Sequence, residues 1–122
     1  CMFELSQTFA FDAAHTLKRF VSPQEAASSR RIHGHTYTAE VMVAGERQPE
    51  TGMVVDLAIL REAIAAVRSK LDHHLLDEVA GLGAPTLENL CVFIHIEIIK
   101  TIPQVSGVAV SRAAGDRCVY RP

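Results

Sequence analysis

The hydrophobic periodicity of this chain changes twice along its length, and that change limits the fold more than any other feature. From Phe3 the apolar residues alternate, with Phe3, Leu5, Phe9 and Phe11 on one face and Glu4, Ser6, Thr8 and Asp12 on the other. A period of two is that of a half-buried strand. Tyr37, Ala39, Val41 and Val43 alternate in the same way with Thr36, Thr38, Glu40 and Met42 until Gly45, which predicts a second strand hairpinned to the first. The period then lengthens. Leu57, Leu60, Ile64, Val67 and Leu71 recur at steps of three and four behind the N-cap candidate Asp56. Leu87, Leu90, Cys91, Ile94 and Ile98 form a comparable stripe behind Thr86, ending before Pro103. These are the buried faces of two amphipathic helices.

Short strand patterns return at Val105–Arg112 and at 118–121, around the turn Ala114-Gly115-Asp116. The stretch from Lys18 to Arg31, with Pro23, Ser22, Ser28 and Ser29, has no sustained period and reads as a loop. The order is β-β-α-α-β-β, an α+β fold with a four-stranded antiparallel sheet and two helices on one face. With 122 residues, 48% of them hydrophobic, residues 1–122 are expected to form a single domain with its own core. Such a sheet leaves two unpaired edges, a hazard removed when sheets of several subunits close into a barrel, so a homo-oligomer is expected.

Charge narrows the partners. Twelve basic and 14 acidic residues give a net charge of -2 without a lysine- or arginine-rich run, which argues against nucleic acid and anionic membranes as partners. The absence of an apolar stretch of about 20 residues or a signal-like start points to the cytoplasm. Cys1, Cys91 and Cys118 form no CxxC pair, which argues for reduced thiols over a disulfide framework or thiolate zinc site. Cys91 and Cys118 read as packing residues, and Cys1, preceding Met2, is assigned no role.

The chemistry concentrates in the histidines. His33 and His35, two apart on a strand, present both rings to one side, and Gly34 between them permits close approach. His15 ends the first strand in phase with Phe9, Phe11 and Ala13, where an antiparallel neighbour brings it beside the pair. Three neutral imidazoles suit zinc and leave its fourth position open, as a catalytic site requires. An isolated HxH is more often a pair of surface residues; His15 in this context shifts the balance to metal. Asp72-His73-His74 follows the first helix, where a carboxylate can orient an imidazole for acid–base work. His95, inside the second helix, reads as structural.

The strings Phe9-Ala10-Phe11-Asp12-Ala13-Ala14-His15, His33-Gly34-His35, Leu71-Asp72-His73-His74 and Pro85-Thr86-Leu87-Glu88-Asn89 occur in that order. Together with Gly52-Met53-Val54-Val55-Asp56 and Cys118-Val119-Tyr120, they resemble the 6-pyruvoyl- and 6-carboxy-tetrahydropterin synthase family over nearly the whole chain. The resemblance implies the tunnelling fold (T-fold), a hexamer built as a dimer of trimers, and a site between subunits. It implies zinc on His15, His33 and His35 and a small-molecule pterin substrate such as 7,8-dihydroneopterin triphosphate; the bacterial branch of similar length makes 6-carboxy-tetrahydropterin for queuosine precursors. It also implies that Asp72 and His73 handle protons and that the turn holding Thr86 and Glu88 borders the pterin. At most one of Arg30 and Arg31 would meet the triphosphate, since extended chain points the two apart.

The chain departs from that family at two places. Ser29 stands four residues before His33, where the family carries its catalytic cysteine, and a hydroxyl is a far poorer base than a thiol of pKa about 8.5. Arg112 stands where the family presents a glutamate to the pterin, and its planar fork suits a carboxylate or phosphate instead. These departures leave a second reading, a paralogue that binds a pterin or purine-like ligand without the synthase reaction. A zinc hydrolase ranks last, supported only by the open metal position.

Overall fold

The computed structural model describes residues 2–16 and 33–122; the expected loop from Lys18 to Arg31, with Ser29, Arg30 and Arg31, lies outside the described residues, as does Cys1. The order is β1 (Phe3–His15), β2 (His33–Gly45), α1 (Leu57–Leu71), a 3-10 turn (Leu76–Glu78), α2 (Leu87–Ile99), β3 (Val105–Arg112) and β4 (Arg117–Tyr120). The strands lie in sequence order in one antiparallel sheet.

The pairing of β1 with β2 runs unbroken from Phe3 opposite Gly45 to His15 opposite His33. Residues facing each other across an antiparallel pair share a face, so one side of the sheet carries Phe11, Ala13, Tyr37, Ala39, Val41, Val108 and Val110, all buried. Both helices cover that side. Asp56 caps α1 by accepting from the Ala58 N–H at 2.9 Å, and Leu60, Ile64, Val67 and Leu71 face inward. Thr86 caps α2 by accepting from the Asn89 N–H at 3.1 Å. Its buried face holds Leu90, Cys91, Ile94 and Ile98, with Phe93 and His95 in addition. The stripe is wider than the periodicity suggests because α2 packs on β3 and β4 and also on α1.

Three details differ from the sequence reading. The last strand begins one residue earlier, at Arg117. The 3-10 turn was not anticipated; three residues are too few to show a period. Met42, expected on the polar face, is buried because Gly107 lies opposite it: a Cβ there would come within 3.1 Å of the Met42 Cε. Among the described residues no helix is long and apolar enough to cross a membrane.

Candidate metal and proton-transfer site

Three features meet at one end of the sheet. The register sets His33 opposite His15 and His35 opposite Ala13. His15 is only 5% exposed, and its ring stacks on that of His35 with centroids 5.0 Å apart. His35 in turn meets the edge of Tyr37 at 5.8 Å, and Tyr37 stacks on Phe11 at 5.1 Å. Two imidazoles therefore converge on an aromatic floor, beside the backbone of a third histidine. Neutral ring nitrogens so grouped are the donor set that zinc favours, so the residues present fit the ion.

The segment after α1 is laced along the outer edge of β1. The Asp12 N–H donates to Asp72 Oδ1 at 2.9 Å, and the His73 N–H donates back to the Asp12 carbonyl at 2.6 Å. Ala14 N–H donates to the His74 carbonyl at 3.2 Å. Thr16 donates through its N–H at 2.8 Å and its hydroxyl at 2.6 Å to the two carboxylate oxygens of Asp77. These bonds satisfy backbone groups that an edge strand would otherwise leave open.

That lacing places an acid–base pair. His73 adopts φ 58°, the left-handed region that a histidine enters at some cost, and its Nδ1 lies 2.8 Å from Asp72 Oδ2. Arg68 approaches the same oxygen at 3.2 Å. The Asp12 N–H above all, then His73 and Arg68, hold the Asp72 carboxyl below its ordinary range against a smaller upward push from desolvation. Asp72 therefore stays ionised, and the exposed His73 ring has a fixed orientation. Asp12, Asp72 and His73 bring one potential ligand atom each within 4.8 Å of one another; Asp12 also accepts from the Thr36 hydroxyl at 2.5 Å. An open cleft lined by Asp12, Gly34, His35, Thr36 and His73 joins this group to the histidine face.

The other sequence candidates are spread more widely. Arg112 sits opposite Tyr37 in the register, but one arm of its guanidinium is taken by Asp116 across the turn before β4. Its Nε is buried with no hydrogen-bond partner among the described residues. Burial pushes the Tyr37 phenol up, partly offset by the Arg112 charge. Thr86 spends its hydroxyl on the helix cap, whereas Glu88 is exposed in the first turn of α2. His74 keeps its Nδ1 2.8 Å from the Asp72 carbonyl. His95 is buried against the edge of Tyr120 at 5.4 Å, a packing position. The Cys91 thiol is pushed up to about 12 by burial and by Cys118, which leaves it too weakly acidic to act as the thiolate that Ser29 lacks. Asp12, Thr36, Tyr37 and Asp77 were not singled out as site residues from sequence, although Asp12 lies within the Phe9–His15 string; their contacts cross between distant segments.

A four-stranded antiparallel sheet with paired helices on one face and histidines gathered at one end defines a tunnelling-fold domain. The family model described as 6-pyruvoyl tetrahydropterin synthase matches residues 4–122, and the chain belongs to that family. It is 33% identical over 115 residues to the 6-carboxy-5,6,7,8-tetrahydropterin synthase of Synechocystis, covering 89% of this chain and 85% of the relative. It is 34% identical over 114 residues to the human 6-pyruvoyl tetrahydrobiopterin synthase, covering 84% and 79%. The fold matches that of the Caenorhabditis elegans 6-pyruvoyl tetrahydropterin synthase with a TM-score of 0.87 at 24% identity, over 100% of this chain and 96% of that one.

Proposed function

We propose that this protein is a zinc-dependent pterin lyase acting on 7,8-dihydroneopterin triphosphate or a related dihydropterin, with His15, His33 and His35 as the metal ligands. The observation that carries the reading is the stacked His15–His35 pair, with His33 opposite His15 in the register, at a strand end where a cleft lined by His35 and His73 adjoins the Asp72–His73 couple. A bound zinc ion would supply Lewis acidity to a side-chain hydroxyl of the substrate.

The chain's own groups supply the proton handling. Asp72, ionised and anchored by the Asp12 N–H, accepts from His73 Nδ1 and stabilises the imidazolium, so His73 Nε2 takes up and returns a proton. Ser29 is assigned the position of the family's cysteine, and its hydroxyl contributes as a hydrogen-bond donor more readily than as a base. The guanidinium donors of Arg112 that Asp116 does not take are suited to an acceptor or anionic group of the substrate. Glu88, with Thr86 setting the turn, offers a carboxylate to the donor groups of a pterin. The working form is a homo-oligomer, a hexamer of two trimers, in the cytoplasm; the positions of β4 and of the first half of β1 at the margins of the sheet support association.

The test is incubation of the zinc-loaded protein with 7,8-dihydroneopterin triphosphate, with products read by mass spectrometry against His33→Ala. The expected outcome is a 6-carboxy- or 6-pyruvoyl-tetrahydropterin product formed only with His33 intact. Zinc binding without turnover would sink the lyase reading and leave a ligand-binding role.

A further inference from the structure

A metal ligand is only as well placed as the groups that hold it, and the chain around His15 is held in an unusual way. His15 is the last residue of β1, where a strand end would ordinarily fray. The next residue, Thr16, is held by a carboxylate 61 positions away: Asp77 takes the Thr16 N–H on one oxygen at 2.8 Å and the Thr16 hydroxyl on the other at 2.6 Å. Asp77 opens out of the 3-10 turn Leu76–Glu78, which is anchored through buried Leu76 and through the bridge of Leu75 to Ala14. The Thr16 carbonyl lies 3.5 Å from His15 Nδ1. A neutral imidazole that directs its Nδ1–H towards that carbonyl keeps the lone pair on Nε2. A Thr16 held in place keeps its carbonyl within reach of His15 Nδ1, an arrangement that favours the tautomer with its lone pair on Nε2.

We propose that Asp77 is a positioning residue for the metal centre, acting through Thr16 to hold His15 as an Nε2 ligand. The proposal rests on the zinc reading of the histidines given above and adds a residue outside the donor set. Burial pushes the Asp77 carboxyl up, but the two Thr16 bonds, together with its own backbone N–H and the nearby His15, bring it below the ordinary carboxylate range, so the group is an anion at neutral pH. Its charge also lies near the His15 ring, as is common for groups that orient metal-bound histidines from behind.

The readout is the zinc dissociation constant of the metal-stripped protein, measured by competition with a chromophoric chelator well below the melting temperature. Asp77→Ala should weaken zinc binding by about 10- to 100-fold, the usual cost of losing a group that orients a metal-bound histidine. Asp77→Asn should restore most of the affinity, because its amide oxygen still accepts the Thr16 N–H and its nitrogen can donate to the Thr16 hydroxyl. Thr16→Val removes one bond of the pair and should weaken binding in the same direction by less; it decides the matter should Asp77→Ala not fold. An unchanged constant in these variants overturns the proposal, even if their melting temperatures fall. Failure of Asn to rescue overturns the positioning role in favour of charge alone. Wild-type protein that binds no zinc, or a His15→Ala variant that binds it equally well, would instead overturn the zinc reading itself.

Discussion

The Asp72–His73 couple shows how single residues take their chemistry from distant backbone. Asp72 ends α1, where its backbone N–H donates to the Arg68 carbonyl at 2.7 Å, yet its carboxylate is set by the Asp12 N–H on β1. A carboxyl whose folded pKa is depressed contributes stability above its unfolded value of about 3.9, and that contribution is lost as pH falls through the folded value. Asp72→Asn keeps an oxygen for the Asp12 N–H and removes the charge. It should melt below the wild type at pH 7, with the gap closing as pH drops below about 4. Thermal melts across that range check this; a gap that persists undiminished in acid would show that the charge of Asp72 does not stabilise the fold.

At the scale of elements, helix faces decide stability. Leu60 and Ile59 are neighbours on α1, but Leu60 is fully buried and Ile59 is 43% exposed. Leu60→Ala should lose about 3 kcal/mol of unfolding free energy, from lost burial and the cavity left behind, whereas Ile59→Ala should stay within about 0.5 kcal/mol of the wild type. Denaturant midpoints of the two variants measure the contrast, and equal losses would mean that α1 does not pack as described. The strap from Asp72 to Asp77 is the other decisive element. It is held by the buried Leu76 on its inner side and by hydrogen bonds to alternate residues of β1 on the other.

For the whole molecule, the direction of those bonds identifies the free edge. Asp12, Ala14 and Thr16 point their N–H groups outward, and the Ala10 carbonyl, also outward, accepts from Arg68 Nε at 2.8 Å. Alternation along an antiparallel strand then turns the N–H groups of Ser6 and Thr8 outward too, and that of Gln7 inward to β2. Proline at position 6 removes a donor for which no acceptor is found among the described residues, so its use is left to another subunit. Ser6→Pro should therefore leave the domain folded while shifting sedimentation towards smaller species, whereas Gln7→Pro should break the β1–β2 ladder and unfold it. An assembly indifferent to Ser6→Pro would mean that this stretch of β1 is not the joining edge of the proposed oligomer.

Much of this was legible in the chain itself. Strand alternation, the helical stripes behind Asp56 and Thr86, and the phasing of His15 with Phe11 are local patterns, written at spacings of two, three and four residues. That His15 would lie beside the His33–His35 pair was legible once two adjacent strands were recognised, while the register that sets it opposite His33 came from the structure. What only the tertiary structure decided lies in contacts across about 60 residues, where side chains of ordinary type acquire roles from where the backbone brings them. Asp77 on Thr16, Asp72 on Asp12, Gly107 beneath Met42 and Asp116 on Arg112 are of this kind or depend on turn geometry. No periodicity marks them, because hydrogen-bond partners are chosen by distance in space, and the sequence records burial far more directly than it records who meets whom.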